Sequence, residues 1–483
     1  MNQETKVFVG LRLFFSVCFG ISLLCVVTVY YPLAGMILFL MGLTFLVSKG
    51  GAGTSNKFGV LLFLLSLLIH LGVVAVVTTP IESDFAVQYE AAQKFAQGDF
   101  SFQNDRYFQR WGYQTGLVIW EGVLLKLWNN PLLLRLVNCV VSAGTNVLIY
   151  LIARDYFEDW AARVAALAYA FFLFPATLVT VLCNSIPSAF FLYLCLYLVM
   201  GKRFEKLPRL AAYALAGLSL AVANALRPDA PLVLVPLLAY FVFRFLSKAS
   251  WNHFFHYLKR FGALLITFLV VSAGMSGMVK IAGINSIGLT NQDPLWSIVL
   301  GTNTETGGTF TYDDSNAVVA LTDQGMERSQ AEIQVIKEHL QVSPFKLVET
   351  LVRKMKTLWW DRGLGWALGS VRESSPTLYA LLEEIDRAMF TCALFLAALG
   401  ALALFRRPRE DFKLYLLPFI FFATCCVYLV MEVQPRYAYV GQIALFVMMA
   451  GGLQEICSFW KTLTGKWRAD FCSRERFLPR AGK

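Results

Sequence analysis

Long apolar segments with few charged residues recur along the whole chain, from residues 7–30 to residues 437–457. Most of them are long enough to cross a hydrocarbon core about 30 Å thick. Only 15% of the 483 residues are charged, whereas soluble proteins carry about 25%. These properties exclude a soluble enzyme, a disordered chain and a fibrous protein. The sequence therefore predicts a polytopic membrane protein.

Hydropathy predicts about twelve membrane-spanning helices, separated by two long polar stretches at residues 80–112 and 283–385. The segment 113–128 is short and amphipathic, and it is not counted as a span. We expect an all-α fold with interfacial helices in the first large outer loop and a mixed outer-face domain. The predicted spans cover residues 7–30, 32–47, 58–79, 131–153, 162–182, 186–200, 209–226, 229–246, 261–282, 386–405, 412–431 and 437–457.

Basic residues indicate the orientation, because Lys and Arg concentrate in short cytoplasmic loops. With both termini inside, the inner connections and the C-terminal tail hold most of the basic clusters. These include Lys49, Lys57, Arg154, Arg163, Lys202, Arg203, Lys206, Arg209, Arg406, Arg407, Arg409 and Lys413. The net charge of +10 then needs no nucleic-acid partner. Residues 80–112, 227–229, 283–385 and 432–437 are all predicted on the outer face.

Two carboxylates, Glu82 and Asp84, follow a predicted span at the outer surface. Residues 85–97 have helical spacing and end at Gly98, so Asp84 is in a position to cap a short interfacial helix. Alternatively, Asp84 is a general base that faces a membrane-embedded donor, or it holds a divalent cation together with Glu82. The spacing alone does not separate these interpretations.

Several arginines lie on the predicted outer face, where basic residues are uncommon. Arg106 and Arg110 lie among aromatic residues, as interfacial anchors do, but Arg also forms forked hydrogen bonds to phosphate. The tight outer turns add the pairs Arg227 with Asp229 and Glu432 with Arg436, the latter followed by Tyr437. Each pair is either a structural salt bridge or part of a phosphate site.

The outer region 283–385 contains a segment with a cationic, amphipathic helical pattern. It opens at Ser343-Pro344 and ends at Trp359-Trp360, with Lys346, Arg353, Lys354 and Lys356 between them. Such a helix is suited to an anionic membrane surface. The sequence contains no Walker or Rossmann phosphate-binding loop. It therefore gives no support for ATP or a nucleotide cofactor.

The chain resembles the GT-C integral-membrane glycosyltransferases, especially bacterial protein O-mannosyltransferases and lipid A aminoarabinose transferases. The resemblance depends on the order of short motifs over roughly residues 58–457. These motifs are Asp84, Tyr89 and Gly98; Ala153-Arg154 to Ala162-Arg163; Phe174-Pro175; Asn184-Ser185-Ile186-Pro187; Leu226-Arg227-Pro228; Ser343-Pro344 to Leu358-Trp359; and Pro435-Arg436-Tyr437. Asn184 replaces an acidic residue common in the family.

The resemblance divides the chain into five regions. They are a two-helix membrane addition (1–57), a GT-C transmembrane core (58–282, with outer loop 80–130), an extracytoplasmic domain (283–385), C-terminal transmembrane helices (386–457) and a basic cytoplasmic tail (458–483). The family implies a multi-pass protein of the cell membrane, with a bacterial plasma membrane expected and catalysis at the outer face.

The resemblance also implies a sugar donor linked to polyprenyl (undecaprenyl) phosphate, and a cell-surface glycan, teichoic acid, lipid or protein as acceptor. Asp84 is the implied base, and Arg106, Arg110, Arg227, Arg436 and Tyr437 are the candidate phosphate ligands, supported by Glu82, Asp229 and Glu432. Two alternatives stay open: a lipid or glycan flippase, and an O-antigen ligase or polymerase. The few charges within spans and the absence of a two-fold repeat in the sequence favour an active site over a conduit.

Overall fold

A computed structural model describes residues 31–49, 55–203, 209–248, 251–404 and 413–464. The first predicted span, residues 7–30, lies outside the described residues, as do Lys206, Arg406, Arg407, Arg409 and the tail from residue 465. All regular elements in the described ranges are helices, and the one backbone bridge found there joins Trp111 and Asn291. The prediction of an all-α protein is confirmed. The outer-face domain, expected to be mixed, consists of short helices and turns.

We number the α-helices in chain order. They are α1 (Tyr31–Lys49), α2 (Ser55–Val76), α3 (Asp84–Ala96), α4 (Arg106–Arg110), α5 (Thr115–Leu125), α6 (Pro131–Tyr156), α7 (Asp159–Ala170), α8 (Leu173–Leu178), α9 (Ser185–Met200), α10 (Arg209–Leu226), α11 (Pro231–Lys248), α12 (Trp251–Ile281), α13 (Trp296–Thr302), α14 (Tyr312–Asp323), α15 (Arg328–Leu340), α16 (Pro344–Trp359), α17 (Gly365–Ser374), α18 (Pro376–Ala403), α19 (Leu416–Val430) and α20 (Tyr439–Thr464). Short 3₁₀ turns cover Ser101–Asn104, Gly112–Gln114 and Pro435–Ala438.

Six helical segments in the described ranges are long and apolar enough to cross a membrane. They are Lys57–Val76, Pro131–Tyr156, Tyr257–Ile281, Pro376–Leu402, Lys413–Val430 and Pro435–Phe459. Four shorter apolar helices match further predicted spans: Pro32–Ser48, Ser185–Met200, Leu210–Leu226 and Pro231–Leu246. The chain is a multi-pass membrane protein. Helix α18 begins ten residues before its predicted span, and its first turns carry charged residues such as Glu383 and Glu384.

The prediction of one continuous span over residues 162–182 is wrong. Helix α7 ends at Ala170, and a separate short helix, α8, begins at Leu173. Pro175 lies in the first turn of α8. Proline has no N–H, so it is tolerated in the first turn of a helix but not in the interior of a continuous one. The backbone N–H of Phe174 instead donates to the Asp386 carboxylate at 2.7 Å. Because the helix is interrupted, this N–H links α8 to α18 instead of bonding to an earlier turn of α7.

The four segments predicted on the outer face meet at one end of the helix bundle. Backbone hydrogen bonds join the first outer loop to the outer domain, and the outer domain to the late turn. They run from Tyr113 N to Thr290 O at 3.0 Å and from Glu432 N to Ser297 O at 2.6 Å. The end of α10, directly before the turn at 227–230, packs against Gly116 of α5, where an added Cβ would lie 1.7 Å from the carbonyl oxygen of Ala225. A side chain there would separate α5 from the end of α10.

Helix α16 has the predicted amphipathic character. Its apolar residues Phe345, Val348 and Val352 are exposed, at 80%, 57% and 58%, on one side of the helix. The buried side carries Leu358, Trp359 and one charged residue, Lys354. This arrangement leaves an unpartnered apolar stripe beside cationic residues, as membrane-surface helices have.

Candidate active site

Five of the predicted site residues lie close together at the end of the helix bundle that is predicted to face outward, and we call them the outer cluster: Asp84, Arg227, Glu432, Arg436 and Tyr437. The Tyr437 ring lies between the two arginines, with its centre 4.8 Å from the Arg227 guanidinium carbon and 5.5 Å from that of Arg436. The Tyr437 hydroxyl donates to Glu432 Oε2 at 3.3 Å. Asp84 joins the group through the next residue, Phe85, whose ring centre lies 4.9 Å from the Arg436 guanidinium carbon.

Asp84 is the first residue of α3, and the prediction that it caps this helix is wrong. The capping position belongs to Ser83, whose side chain makes no capping hydrogen bond. Ser83 has φ 57° and ψ −141°, the only positive φ at a non-glycine residue in the described ranges. Such backbone costs about 1–3 kcal/mol and is concentrated at functional sites. The strained residue therefore directly precedes the candidate base.

The Asp84 carboxylate is free of structural partners. The Asp84 side chain is exposed, and it takes part in no hydrogen bond or ion pair within the described residues. Surrounding protein atoms desolvate the carboxylate and raise its pKa, and Arg436 partly offsets this effect. A carboxylate that is accessible, unpaired and more basic than usual has the properties of a general base.

Arg436 stands on an aromatic platform and keeps most of its donors unused. Its guanidinium carbon lies 4.9 Å from the ring centre of Phe85 and 5.6 Å from that of Trp366. Its Nε donates to Gln434 Oε1 at 2.8 Å. Within the described residues, its two terminal nitrogens donate no hydrogen bond. The N–H groups on these two nitrogens are therefore available to donate to two oxygens of one phosphate.

Lys354 holds the turn that carries Arg436. Its ammonium group donates to the carbonyl oxygens of Gly301, Leu429 and Met431 at 2.6, 2.9 and 2.8 Å. The last two carbonyls belong to the C-terminal end of α19, where helical partners are missing. Burial lowers the pKa of Lys354 to about 8, and the charge of Glu432 opposes this shift. Lys354, which belongs to the outer domain, therefore holds in place the start of the turn that carries Arg436.

Arg227, by contrast, uses all three of its nitrogens. Its Nε lies 2.9 Å from Asp229 Oδ2. Nη1 donates to Asn184 Oδ1 at 3.4 Å and Ser185 Oγ at 3.1 Å, and Nη2 donates to the Tyr428 hydroxyl at 3.3 Å. Asn184 thus accepts a hydrogen bond from Arg227 at the position where the family often has an acidic residue.

Arg106 and Arg110 do not join the outer cluster. Arg110 pairs with Asp293 and lies 3.9 Å from Glu332, and its guanidinium lies 4.6 Å from the Trp296 ring centre. These partners bind the first outer loop to the outer domain, so the Arg110 charge is already compensated. Arg106 is exposed at the start of α4, and no partner is found for it within the described residues.

The supporting carboxylates also differ in position. Asp229 is buried against Arg227. Glu432 faces the outer cluster, where burial raises its pKa and a hydrogen bond from Gln434 opposes the shift. Glu82 is exposed on the surface beside Ser83. In the described ranges, no group of three or more His, Cys, Asp or Glu side chains gathers to hold a metal ion.

The structure adds residues that the sequence did not single out. Tyr113 lies among the charges of the outer cluster, and burial raises its pKa to about 12 while Arg227 opposes the shift. Trp366 packs against Phe85 with ring centres 5.5 Å apart. In the sequence, the two glycines of Gly363-Leu364-Gly365 only weakly indicate a turn that places Trp366. An added Cβ at Gly363, where φ is +67°, would lie 2.8 Å from Pro435.

Comparison with known proteins gives one family match. Residues 120–273, about a third of the chain, match the family model described as dolichyl-phosphate-mannose-protein mannosyltransferase. The match contains Arg227 and Asp229 but neither Asp84 nor Arg436. No curated protein matches the chain. The predicted resemblance to GT-C glycosyltransferases is confirmed over the matched segment.

Solved structures of the oligosaccharyltransferase AglB from Archaeoglobus fulgidus are similar over a longer range. The complex with an inhibitory peptide and a dolichol-phosphate has 14% identity and a TM-score of 0.44, covering 86% of this chain and 52% of that one. The structure tethered to an acceptor peptide has 12% identity and a TM-score of 0.45, covering 86% and 51%. This chain therefore spans about half the length of the structures that it matches.

Proposed function

We propose that this protein is a membrane glycosyltransferase that moves a sugar from a polyprenyl-phosphate donor to a cell-surface acceptor at the outer face of a bacterial plasma membrane. The observation that carries the proposal is the juxtaposition of a free carboxylate, Asp84, with Arg436, whose terminal nitrogens are unused. The match of residues 120–273 to a family that uses a lipid-phosphate sugar supports it.

The reaction assigns each group a role. The acceptor hydroxyl gives its proton to Asp84 as its oxygen attacks the anomeric carbon. The bond between that carbon and the phosphate oxygen breaks, and its electron pair stays with the departing lipid phosphate. Arg436 stabilises the charge that develops there, and a forked guanidinium suits two phosphate oxygens. Asp84 then releases its proton to water.

A divalent cation at Glu82 and Asp84 fits these residues poorly. Two carboxylates at this spacing have no third acidic or imidazole ligand near them in the described ranges. The positive charge of Arg436 already acts on Asp84, and it would repel a divalent cation bound there. We therefore assign no step of the reaction to a metal.

Reconstitution distinguishes the proposal from its two alternatives. The purified protein is placed in vesicles with undecaprenyl-phosphate carrying a labelled sugar and with cell-envelope acceptors. We expect a labelled acceptor and free undecaprenyl phosphate, and Asp84→Asn should form both at least about a hundredfold more slowly. Movement of intact donor between leaflets would indicate a flippase. Transfer from diphosphate-linked oligosaccharide alone would indicate a ligase or polymerase.

Orientation has a separate test. Cysteines are introduced at Asn316, which is exposed in α14, and at Ala469 in the tail, with the exposed Cys426 replaced by serine. An impermeant thiol reagent applied to intact cells should label position 316 and leave position 469 unlabelled. The reverse pattern would move the outer cluster to the cytoplasmic face and contradict the proposed site.

A further inference from the structure

A cavity of about 720 Å³ lies beside the outer cluster. Its walls are the loop at 361–365, helix α17 and the first turns of α18. This volume falls in the range of roughly 300–1,000 Å³ that small-molecule sites occupy. The proposed reaction uses Asp84 for the proton and Arg436 for the phosphate, but it does not yet give the acceptor a place.

Charged side chains line the cavity in equal numbers of each sign. They are Arg362, Arg372 and Arg387, and Asp361, Glu373 and Glu383. Two of the arginines are already compensated, because Arg362 pairs with the buried Asp386 at 2.6 Å and Arg387 pairs with Glu384. A phosphate group requires an excess of positive charge. The cavity lacks that excess and suits a neutral, polar ligand.

The cavity offers hydrogen-bonding groups of both kinds. Within the described residues, the carboxylates of Asp361 and Glu373 accept no hydrogen bond, and that of Glu383 accepts one from the Tyr379 hydroxyl at 2.9 Å. Arg372 is exposed, and within the described residues its guanidinium takes part in no hydrogen bond. Hydroxyl groups both donate and accept. Carboxylates and a spare N–H donor around one space therefore match a ligand rich in hydroxyls.

Trp366 connects the cavity to the outer cluster. Its indole lines the cavity and also packs on Phe85, the residue that follows Asp84, with ring centres 5.5 Å apart. The Arg436 guanidinium lies 5.6 Å from the same indole. Aromatic rings pack against apolar faces, and a sugar ring has such a face of C–H groups with hydroxyls at its edge. Trp366 is therefore a wall that the cavity shares with the outer cluster.

From these observations, and resting on the proposed function, the geometry points to this cavity as the acceptor site and to a neutral carbohydrate as the acceptor. The sugar ring lies against Trp366 and its hydroxyls bond the carboxylates of Asp361 and Glu383. One hydroxyl is presented to Asp84. The acceptor is therefore a surface glycan rather than a polypeptide.

The test fills the cavity without disturbing its walls. Gly369 lines the space, and a Cβ added there meets no atom within 4 Å, so Gly369→Trp places an indole in the cavity. Gly277→Trp is the matched control, since an added Cβ there is also uncontacted and Gly277 lies on α12. Full-length protein in detergent is probed by saturation-transfer NMR. The probes are a panel of neutral trisaccharides, a panel of Ser/Thr peptides and undecaprenyl phosphate.

We expect at least one trisaccharide to bind. Gly369→Trp should weaken that binding by about tenfold or more, and Gly277→Trp should leave it unchanged. The isosteric double variant Asp361→Asn, Glu383→Gln should weaken it with the fold retained. Undecaprenyl phosphate should bind all variants equally.

Three outcomes would overturn the inference. They are binding of peptides in place of trisaccharides, loss of undecaprenyl-phosphate binding in Gly369→Trp, and equal trisaccharide binding by all variants or by none. Failure of undecaprenyl phosphate to bind the wild-type protein would instead contradict the proposed function.

Discussion

Two turns predicted on the outer face each carry an arginine and a carboxylate, and the two arginines have different partners. In the turn at 227–230, Arg227 bonds Asp229 and three further side chains from neighbouring helices. In the turn at 432–437, Arg436 bonds one amide oxygen and rests on aromatic rings. One arginine holds helices together and the other keeps its terminal nitrogens for a ligand. A motif of the same composition thus serves stability in one place and binding in the other.

The largest expected effect is on stability at the first turn. Arg227→Ala leaves Asp229 buried without its cation and removes the donor from Asn184, Ser185 and Tyr428. Removing one partner of such a pair costs about 3–5 kcal/mol. We expect a much lower unfolding temperature in detergent, and unchanged affinity for undecaprenyl phosphate in the protein that remains folded. A stable variant with weakened lipid binding would reverse the roles of the two turns.

Arg436 should show the opposite pattern. Arg436→Ala should raise the Kd for undecaprenyl phosphate by about tenfold to a hundredfold, because charge-assisted hydrogen bonds contribute about 1.5–3 kcal/mol. Arg436→Lys should recover part of this loss, since Lys keeps the charge without the fork. The unfolding temperature should change little in both variants. Unchanged lipid affinity in folded Arg436→Ala would remove it from the phosphate site.

Lys354 tests whether the second turn depends on the outer domain. Lys354→Met leaves three carbonyl oxygens without their donor, and each unsatisfied buried group costs about 1–3 kcal/mol. We expect a lower unfolding temperature together with lipid affinity several-fold weaker, a smaller loss of affinity than in Arg436→Ala. The exposed Lys356, replaced by Met, is the matched control. Wild-type lipid affinity in folded Lys354→Met would show that the turn holds its shape alone.

The smallest expected effect is on the pH profile. Transfer requires ionised Asp84, so the rate falls as the pH drops through the Asp84 pKa, which desolvation raises. Arg436→Gln removes the charge that lowers this pKa, and the acid limb should therefore move to higher pH. Lys337→Gln, an exposed position on α15, should not move it. An acid limb that stays in place in Arg436→Gln would mean that Asp84 does not set it.

Hydropathy and basic residues were enough to predict most of the helices and the meeting of the outer segments, because apolar length and charge are local properties. The break between Ala170 and Leu173 was not predicted, since it depends on Pro175 in a short first turn and on a distant acceptor, Asp386. Similarly, the sequence could not separate Arg110 from Arg436.

The roles of these arginines depend on partners far along the chain. Arg110 finds Asp293 and Glu332, which lie about 180–220 residues later, whereas Arg436 meets Phe85 about 350 residues earlier. The cavity beside Trp366 is formed by α17 and α18 together, and no local pattern marks it. Residue types therefore identified candidates, and only tertiary contacts showed which of them are free.

The role of Asp84 is tested most directly by single-turnover sugar transfer in Asp84→Asn, with Glu90→Gln on the same helix as control. General-base catalysis contributes about 10²–10⁴-fold, so transfer should slow by at least two orders of magnitude. Undecaprenyl phosphate should still bind, because Arg436 is intact, and Glu90→Gln should transfer at the wild-type rate. Asp84→Asn protein that transfers sugar at close to the wild-type rate would show that the base lies elsewhere and would contradict the proposed active site.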